Sequence, residues 1–160
     1  MAQALTPFLD ISAGGWTTDA GAIVDLFAAI DEAAASDADY VQSSALAPGN
    51  SDVYDVKLSA AADPQSALAH GISYRYQALG AATMELTVAL MQGATTVAQQ
   101  THSNVAVGMW LDGMLTLSGA EADSITDYSD LRLRFVAVAS SAGLDFRYPS
   151  NSGYVAPIGA

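Results

Sequence analysis

Strict alternation of apolar and polar residues is the sequence feature that most constrains the fold of this chain. The clearest case is Leu131–Val138, where two leucines and Phe135 share one face of an extended strand and Arg132 and Arg134 share the other. Similar alternation recurs in three earlier segments: Val53–Ser59, Ile72–Leu79 and Met84–Met91. Short strands with turn signals between them predict an all-β fold, an antiparallel β-sandwich of jelly-roll-like type.

Turn residues predict how several of these strands are connected. Gln92-Gly93-Ala94 predicts a tight hairpin into a strand at Thr95–Gln100. The apolar run Val105–Leu111 predicts another strand, and Asp112-Gly113 predicts a two-residue hairpin turn into Met114–Leu117.

Two segments before residue 50 also carry secondary-structure signals. Ile23–Ile30 fits a short helix or a buried strand equally well, because periodicity cannot separate the two in a short apolar run. Tyr40–Ser43 fits a short strand that follows the turn at 36–39.

One short helix is predicted near residue 120. Ser118-Gly119-Ala120-Glu121 matches a capping box, in which the serine accepts from the third backbone N–H and the glutamate reaches back. The helix is expected from about Gly119 to Ile125. Asp127 and Asp130 are expected to cap the turn that follows by binding local N–H groups, or to pair with the arginines just beyond.

Charge and composition limit the classes of function. The 160 residues include 17 acidic and 5 basic side chains, a net charge of −12, which disfavours binding to nucleic-acid phosphates. There is no cysteine, so disulfides and thiolate metal sites are excluded. Without a basic leader or a long apolar run, neither secretion nor a membrane partner is expected. We expect a β-sandwich domain over residues 1–138 and an extended C-terminal tail over residues 139–160.

The residues predict no catalytic, cofactor-binding or metal-ligating site. The two histidines, His70 and His102, lie in separate segments without a nearby partner residue and are interpreted as loop or strand-end residues. Four acids cluster at Asp31, Glu32, Asp37 and Asp39. Their spacing does not follow the calcium-loop pattern, so a solvated loop is favoured over a calcium site.

Arginines and aromatic residues are the candidates for contact with a partner. Arg132 and Arg134 are interpreted first as cross-strand partners of acids such as Glu85 or Asp55, and second as a subunit contact. The other candidate interface residues are Trp16, Tyr148 and Tyr154. Trp16, Trp110 and the tyrosines could form a sugar-stacking platform, although core and interface packing are commoner roles for such residues.

Several segments together carry a family resemblance. They are Gly14-Gly15-Trp16-Thr17, Ile30-Asp31-Glu32, Asp37–Val41, Val56-Lys57-Leu58, Asp63-Pro64, His70–Tyr76, Leu86–Gly93 and Leu117–Leu131. Over about residues 7–138 the chain resembles small β-sandwich virion proteins encoded in the structural modules of tailed phages and prophages. Asp127-Tyr128-Ser129-Asp130-Leu131 is the most specific part of this resemblance.

The resemblance implies a non-enzymatic virion structural protein, first of all a decoration or cement protein that binds and stabilises the outer surface of the head. It also implies major capsid protein or other virion proteins as partners, and a homo-oligomer, for which a trimer is one common arrangement. The location would be the capsid surface, after synthesis in the host cytoplasm. A carbohydrate-binding adhesion module and a tail accessory protein are the alternatives.

Overall fold

The structure, a computed structural model, describes residues 2–32, 36–67, 70–79, 83–105, 107–140, 146–150 and 153–157. The strands are β1 (Ala2–Leu5), β2 (Pro7–Ser12), β3 (Thr17–Thr18), β4 (Ser36–Gln42), β5 (Ser51–Leu58), β6 (Gly71–Ala78), β7 (Met84–Gln92), β8 (Thr95–Val105), β9 (Leu111–Thr116), β10 (Leu131–Ala139), β11 (Phe146–Ser150) and β12 (Gly153–Pro157). A 3-10 helix spans Leu26–Ala29, and the α-helix α1 spans Gly119–Asp123.

These strands form two antiparallel sheets packed on one core. The five-stranded sheet has the order β2-β5-β10-β7-β8. The seven-stranded sheet has the order β1-β12-β6-β11-β4-β3, with β9 paired to the other edge of β6. The prediction of a jelly-roll-like antiparallel β-sandwich with one short helix is therefore confirmed.

Alternation places the core as the sequence predicts. In β10 every second residue from Leu131 to Ala139 is buried, and in β5 Tyr54, Val56 and Leu58 are buried. The Tyr54 ring stacks on Phe135 with centroids 5.9 Å apart, and Trp16 lies 6.0 Å from Tyr54. These rings form the aromatic centre of the core between the sheets.

The loop before β3 holds Trp16 in this core. Gly15 N–H donates to Asp52 Oδ1 at 2.9 Å, and Ser44 N–H donates to Asp52 Oδ2 at 3.1 Å. Gly14 has a positive φ of 57°, and a Cβ there would overlap the carbonyl of Val53. Only glycine fits this close approach, so Gly14 is explained by the turn that leads to Trp16.

The predicted short helix is present, and it ends at Asp123, two residues before the predicted end. Ser118 Oγ accepts from Glu121 N–H at 3.3 Å, and Glu121 Oε2 accepts from Ser118 N–H at 2.7 Å, which is the complete capping box. The ambiguous segment 23–30 contains a 3-10 helix that Asp10 anchors. The Asp10 carboxylate accepts from Leu26 N–H at 2.8 Å and from Phe27 N–H at 3.0 Å.

Two strand predictions near residue 110 are wrong. The described residues 107–110 belong to neither neighbouring strand, since β8 ends at Val105 and β9 begins at Leu111. Asp112-Gly113 is not a hairpin turn but lies inside β9, opposite Arg75 and Tyr74. A Cβ at Gly113 would overlap the Tyr74 ring, so this glycine serves close packing between strands instead of a turn.

The C-terminal residues are extended where the structure describes them. β11 pairs with β4 and β6, and β12 pairs with β1 and β6. The division of the chain into a domain over residues 1–138 and a tail over residues 139–160 stays a prediction.

Candidate functional site

On the outer face of the seven-stranded sheet, Arg75 lies between two aspartates. Tyr74 and Tyr76 of β6 point into the core, so alternation turns Arg75 outward. Arg75 Nη2 donates to Asp37 Oδ2 at 3.1 Å, and Nε lies 3.1 Å from Asp37 Oδ1. On the other side, Nη1 lies 3.4 Å from Asp112 Oδ1. The group carries two negative charges against one positive charge.

Two aromatic rings lie on the same outer face. Val41 of β4 is completely buried and Leu111 of β9 packs against the core, so their chain neighbours Tyr40 and Trp110 point outward. Their ring centroids are 6.0 Å apart with an interplanar angle of 57°, and both residues are only half-buried. Large rings left accessible on a sheet face offer apolar area to a ligand.

We call this surface the Trp110 face. It consists of Asp37, Tyr40, Arg75, Trp110, Asp112 and Met114. Met114 follows Asp112 by two residues on β9 and is 60% exposed. An accessible apolar platform therefore lies beside carboxylates that accept hydrogen bonds and a guanidinium that donates them.

Sequence reasoning named Trp110 as one possible stacking residue but did not find this face. Tyr40 and Trp110 are 70 positions apart, and Arg75 meets acids from two other strands. A usable signal was present in the alternation of β6, which puts Arg75 opposite the tyrosines. Because Asp112-Gly113 was interpreted as a hairpin turn, Asp112 was not placed on the sheet face beside Arg75.

A second polar group lies between the sheets. His102 of β8 places Nε2 2.7 Å from the Tyr74 hydroxyl and Nδ1 3.0 Å from the Tyr76 hydroxyl. Burial lowers the pKa of His102 and raises the pKa of Tyr74. Both ring nitrogens are thus engaged by β6, and the arrangement ties the two sheets together.

The other histidine is also structural. His70 is 1% exposed, and its Nε2 lies 2.9 Å from the Tyr128 hydroxyl. This contact fastens the start of β6 to the turn that precedes β10. The tyrosine of the Asp127-Tyr128-Ser129-Asp130 element is therefore part of the packing.

The predicted arginine pair is engaged within the chain. Arg134 Nε and Nη2 donate to the two oxygens of Asp55 at 2.7 and 2.8 Å, across the β5–β10 ladder. Arg132 lies 3.1 Å from Asp130, and Lys57 lies 3.6 Å from the same carboxylate. The predicted cross-strand pair of Arg134 and Asp55 is present in the structure. A subunit contact through Arg132 and Arg134 stays a prediction.

The remaining predicted interface residues do not converge with these arginines. Trp16 is 1% exposed, so its contacts are with the core of its own chain and not with a surface platform. Tyr148 and Tyr154 lie in β11 and β12, and their side chains are outside what the structure describes.

The acids of the predicted cluster do not share one partner. Asp37 pairs with Arg75, while Glu32 shares a hydrogen bond with Asp39. Burial, followed by the bond to Asp39, raises the pKa of Glu32. In the described part of the chain, no group of three or more His, Asp or Glu side chains could hold a metal ion.

A separate apolar surface surrounds the edge strand β2. We call it the β2 cluster; its members are Phe8, Leu9, Ile11, Ile23 and Val24, each at least 40% exposed. A cleft of about 320 Å³ lies between β2 and the segment before the 3-10 helix. Clustered exposed apolar side chains on an edge strand are typical of contact surfaces.

No helix among the residues that the structure describes has the length and apolar character of a membrane span.

No protein-family model and no curated protein sequence matches the chain. Solved β-sandwich structures do. SGBP-B from a complex xyloglucan utilization locus in Bacteroides uniformis is 10% identical with a TM-score of 0.51, covering 90% of this chain and 46% of that one.

Two further solved structures are carbohydrate-binding modules. The C-terminal family 22 module of Clostridium thermocellum Xyn10B is 11% identical, with a TM-score of 0.44 and coverage of 96% of this chain and 95% of that one. TmCBM61, solved with β-1,4-galactotriose, is 8% identical, with a TM-score of 0.40 and coverage of 74% and 70%. At such low sequence identities, the similarity to these structures concerns the β-sandwich fold alone.

Proposed function

We propose that this protein is a non-catalytic carbohydrate-binding module and that the Trp110 face is its binding surface. The observation that carries the proposal is the accessible Tyr40–Trp110 ring pair, with centroids 6.0 Å apart, on a sheet face that also presents charged groups. Arg75 and Asp112 lie on the paired strands β6 and β9, and Trp110 directly precedes β9.

The chemistry of the face suits a sugar chain. The C–H faces of pyranose rings are apolar and stack on aromatic rings, while their hydroxyl groups need both acceptors and donors at the rim. Asp112 supplies an accepting carboxylate whose side chain is 81% exposed, and Arg75 supplies a donor. A strand rise of about 3.3 Å per residue separates Trp110 from Asp112 by roughly 7 Å, which is within the span of a short oligosaccharide.

The fold is compatible with this role but does not carry it, because one fold serves many functions. SGBP-B, from a xyloglucan utilization locus, has a similar fold over 90% of this chain. The named side chains of the Trp110 face, and not that likeness, support the proposal.

A glycan array with matched variants tests the proposal. Trp110→Ala is expected to lose binding and Tyr40→Ala to weaken it, since the indole is the larger of the two stacking rings. Phe8→Ala is the control, because Phe8 is an aromatic residue with 56% exposure in the β2 cluster. An array without signal, or a Trp110→Ala protein that binds as the wild type does, overturns the proposal.

A second candidate function, a virion structural protein, is favoured by a different observation. The β2 cluster exposes five large apolar side chains, three on the edge strand β2 and two in the segment before the 3-10 helix, and an assembly partner would remove them from water. In this hypothesis the protein binds the major capsid protein or another virion protein on the head surface, as a homo-oligomer. The acidic surface suits the outside of a capsid.

Co-sedimentation with phage heads tests the second candidate. The wild type is expected to sediment with the heads, and Phe8→Asp combined with Ile23→Asp is expected to stay in solution. Trp110→Ala serves as the control and should sediment normally. A wild type that shows no affinity for phage particles or capsid protein, and is missing from virions by mass spectrometry, excludes this candidate.

A further inference from the structure

The two edge strands of the five-stranded sheet, β2 and β8, differ in how well they resist pairing with another chain. β2 has six residues and contains Pro7 and Asp10, and its register with β5 shifts twice. Asp10 also binds the 3-10 helix to this strand. Proline, charge and irregular register are the features by which proteins keep a sheet edge from pairing with a neighbour. Growth of the sheet beyond β2 is therefore disfavoured.

β8, at the opposite edge, carries neither proline nor charge. It has 11 residues, and no strand in the described part of the chain pairs with its other edge. Residues 98–102 pair with residues 86–90 of β7 without a shift of register. The exposed side chains of β8 are all Thr, Gln, Ser or Asn. This edge therefore offers backbone donors and acceptors to a further strand, and no repulsive side chain stands on it.

A second copy of the same chain is the partner that fits this edge. The chain has a net charge of −12, yet residues 86–111 contain no Asp, Glu, Lys or Arg. Two copies repel each other least when they meet at an uncharged segment. An antiparallel pair of identical strands is self-complementary about a twofold axis, and the middle of the regular segment is Gln100.

We propose that this protein forms a twofold dimer through β8, in which the five-stranded sheets of two copies join into one continuous antiparallel sheet. The dimer goes beyond the proposed function and does not depend on it. Each β8 edge pairs with the other copy, so the backbone groups along both edges gain partners. Since β2 resists pairing, the assembly closes at two copies and does not grow into a fibre.

Acids beside the edge predict how salt acts on this dimer. Ser103 Oγ donates to Glu85 Oε2 at 2.9 Å, and α1, which lies close to β8, carries Glu121 and Asp123. Dimerisation brings these acids nearer to the same acids of the other copy. Raising the salt concentration from about 0.1 M to about 1 M shortens the screening length from roughly 10 Å to roughly 3 Å. The dimer should therefore become tighter, whereas a dimer held by ion pairs would become weaker.

Sedimentation analysis of matched variants tests the contact. The wild type is expected to change from monomer to twice that mass as its concentration rises. Gln100→Lys places two like charges at the centre of the strand pair and should weaken the dimer about tenfold or more. Ser12→Lys is the control, because it adds the same charge at an exposed position of β2 and should dimerise as the wild type does. Circular dichroism confirms that both variants are folded.

Single cysteines test the geometry of the pair, because the chain has no cysteine of its own. Gln100→Cys should form a disulfide between copies under mild oxidation. Residues directly opposite each other in an antiparallel pair have Cα atoms about 4.5–5.5 Å apart, which is within disulfide range. Thr96→Cys should not cross-link, since about eight residues of strand, or roughly 26 Å, separate it from the same residue of the other copy.

The outcomes decide between this edge and other contacts. A protein that stays monomeric at every concentration in high salt overturns the inference, and so does a series of species larger than a dimer. A dimer that Ser12→Lys abolishes and Gln100→Lys leaves intact moves the contact to β2 and overturns it as well. Cross-linking of Thr96→Cys without cross-linking of Gln100→Cys rejects the twofold strand pair.

Discussion

The outer faces of the two sheets use arginine in opposite ways. On the five-stranded sheet, Arg134 and Asp55 form a two-pronged pair with bonds of 2.7 and 2.8 Å, and the Asp55 side chain is only 13% exposed. On the seven-stranded sheet, Arg75 is shared between two exposed aspartates, next to accessible rings. The first arrangement neutralises its charges and supports the sheet. The second leaves charge and apolar area available to a ligand.

This contrast shows that an arginine in an acidic chain is a weak guide to function by itself. The aromatic residues of β5 and β10, Tyr54 and Phe135, are buried in the core, so the face with the strongest ion pair receives no rings from these strands. Half-buried rings and an exposed carboxylate coincide instead at Tyr40, Trp110 and Asp112.

The largest expected effect comes from removing the core that both faces share. Trp16→Ala should lower the free energy of unfolding by about 3–5 kcal/mol, because Trp16 packs against Tyr54 and Phe135 and is 1% exposed. Urea denaturation followed by fluorescence and circular dichroism measures the change. A loss below about 1 kcal/mol would show that Trp16 does not lie in the core.

The ion pairs of the two faces should differ in their contribution to stability. Arg134→Met should cost about 2–3 kcal/mol, because it leaves the largely buried Asp55 without its cation. Arg75→Met should cost about 1 kcal/mol or less, since Asp37 and Asp112 remain solvated. Both values come from urea denaturation. Equal costs would remove the distinction between a structural and an accessible arginine.

For ligand affinity, the order of the two arginines should be the reverse of their order for stability, with Arg75 the more important. Arg75→Met should weaken binding of the best glycan on the array about tenfold, because the face loses a charged donor. Arg134→Met should bind as the wild type does, provided that it is assayed well below its unfolding transition. Isothermal titration calorimetry measures both. A larger affinity loss in Arg134→Met would move the site to the five-stranded sheet.

The smallest effects concern the pH dependence of stability at two glutamates. Burial and the bond to Asp39 raise the pKa of Glu32, so its contribution is favourable at low pH and is lost as pH rises through the folded pKa. Glu32→Gln should therefore stabilise the protein at neutral pH, and the gain should vanish in acid.

Glu121 is the control, because its pKa is shifted in the opposite direction from that of Glu32. Its bonds to Ser118 lower the pKa of Glu121, so its contribution is present above the unfolded pKa and is lost as pH falls through the folded pKa. Glu121→Gln should destabilise at neutral pH, with a difference that shrinks in acid. Thermal unfolding of both variants between pH 3 and pH 8 checks the signs. Parallel pH profiles would contradict the assigned environments.

Local patterns predicted the parts of the fold that depend on near neighbours along the chain. The alternation of β10 follows from a period of two, and the Ser118–Glu121 capping box follows from a spacing of three residues. The predictions failed where packing against a distant residue, and not the short motif, determined the local structure. Asp112-Gly113 has the residues of a hairpin turn, but the Tyr74 ring requires glycine at that point of β9.

The candidate site was the least predictable part for the same reason. Trp16 and Trp110 are alike in the sequence, yet one lies in the core and the other remains half-exposed beside Tyr40. Val107 and Met109 belong to an apolar run that was predicted to be a strand, and they are 43% and 58% exposed. Hydrophobicity gave a tendency to be buried, and the space left between the sheets decided which residues were accommodated.

The sequence by itself determined that the chain forms antiparallel strands, which side of each central strand faces the core, and where the short helix begins. These properties follow from backbone geometry and from bonds between residues a few positions apart. Only the tertiary structure decided that Asp37, Arg75 and Asp112 meet next to the Tyr40–Trp110 pair. Residues so far apart come together through the order of strands in the sheet, and that order is set by how the whole core packs.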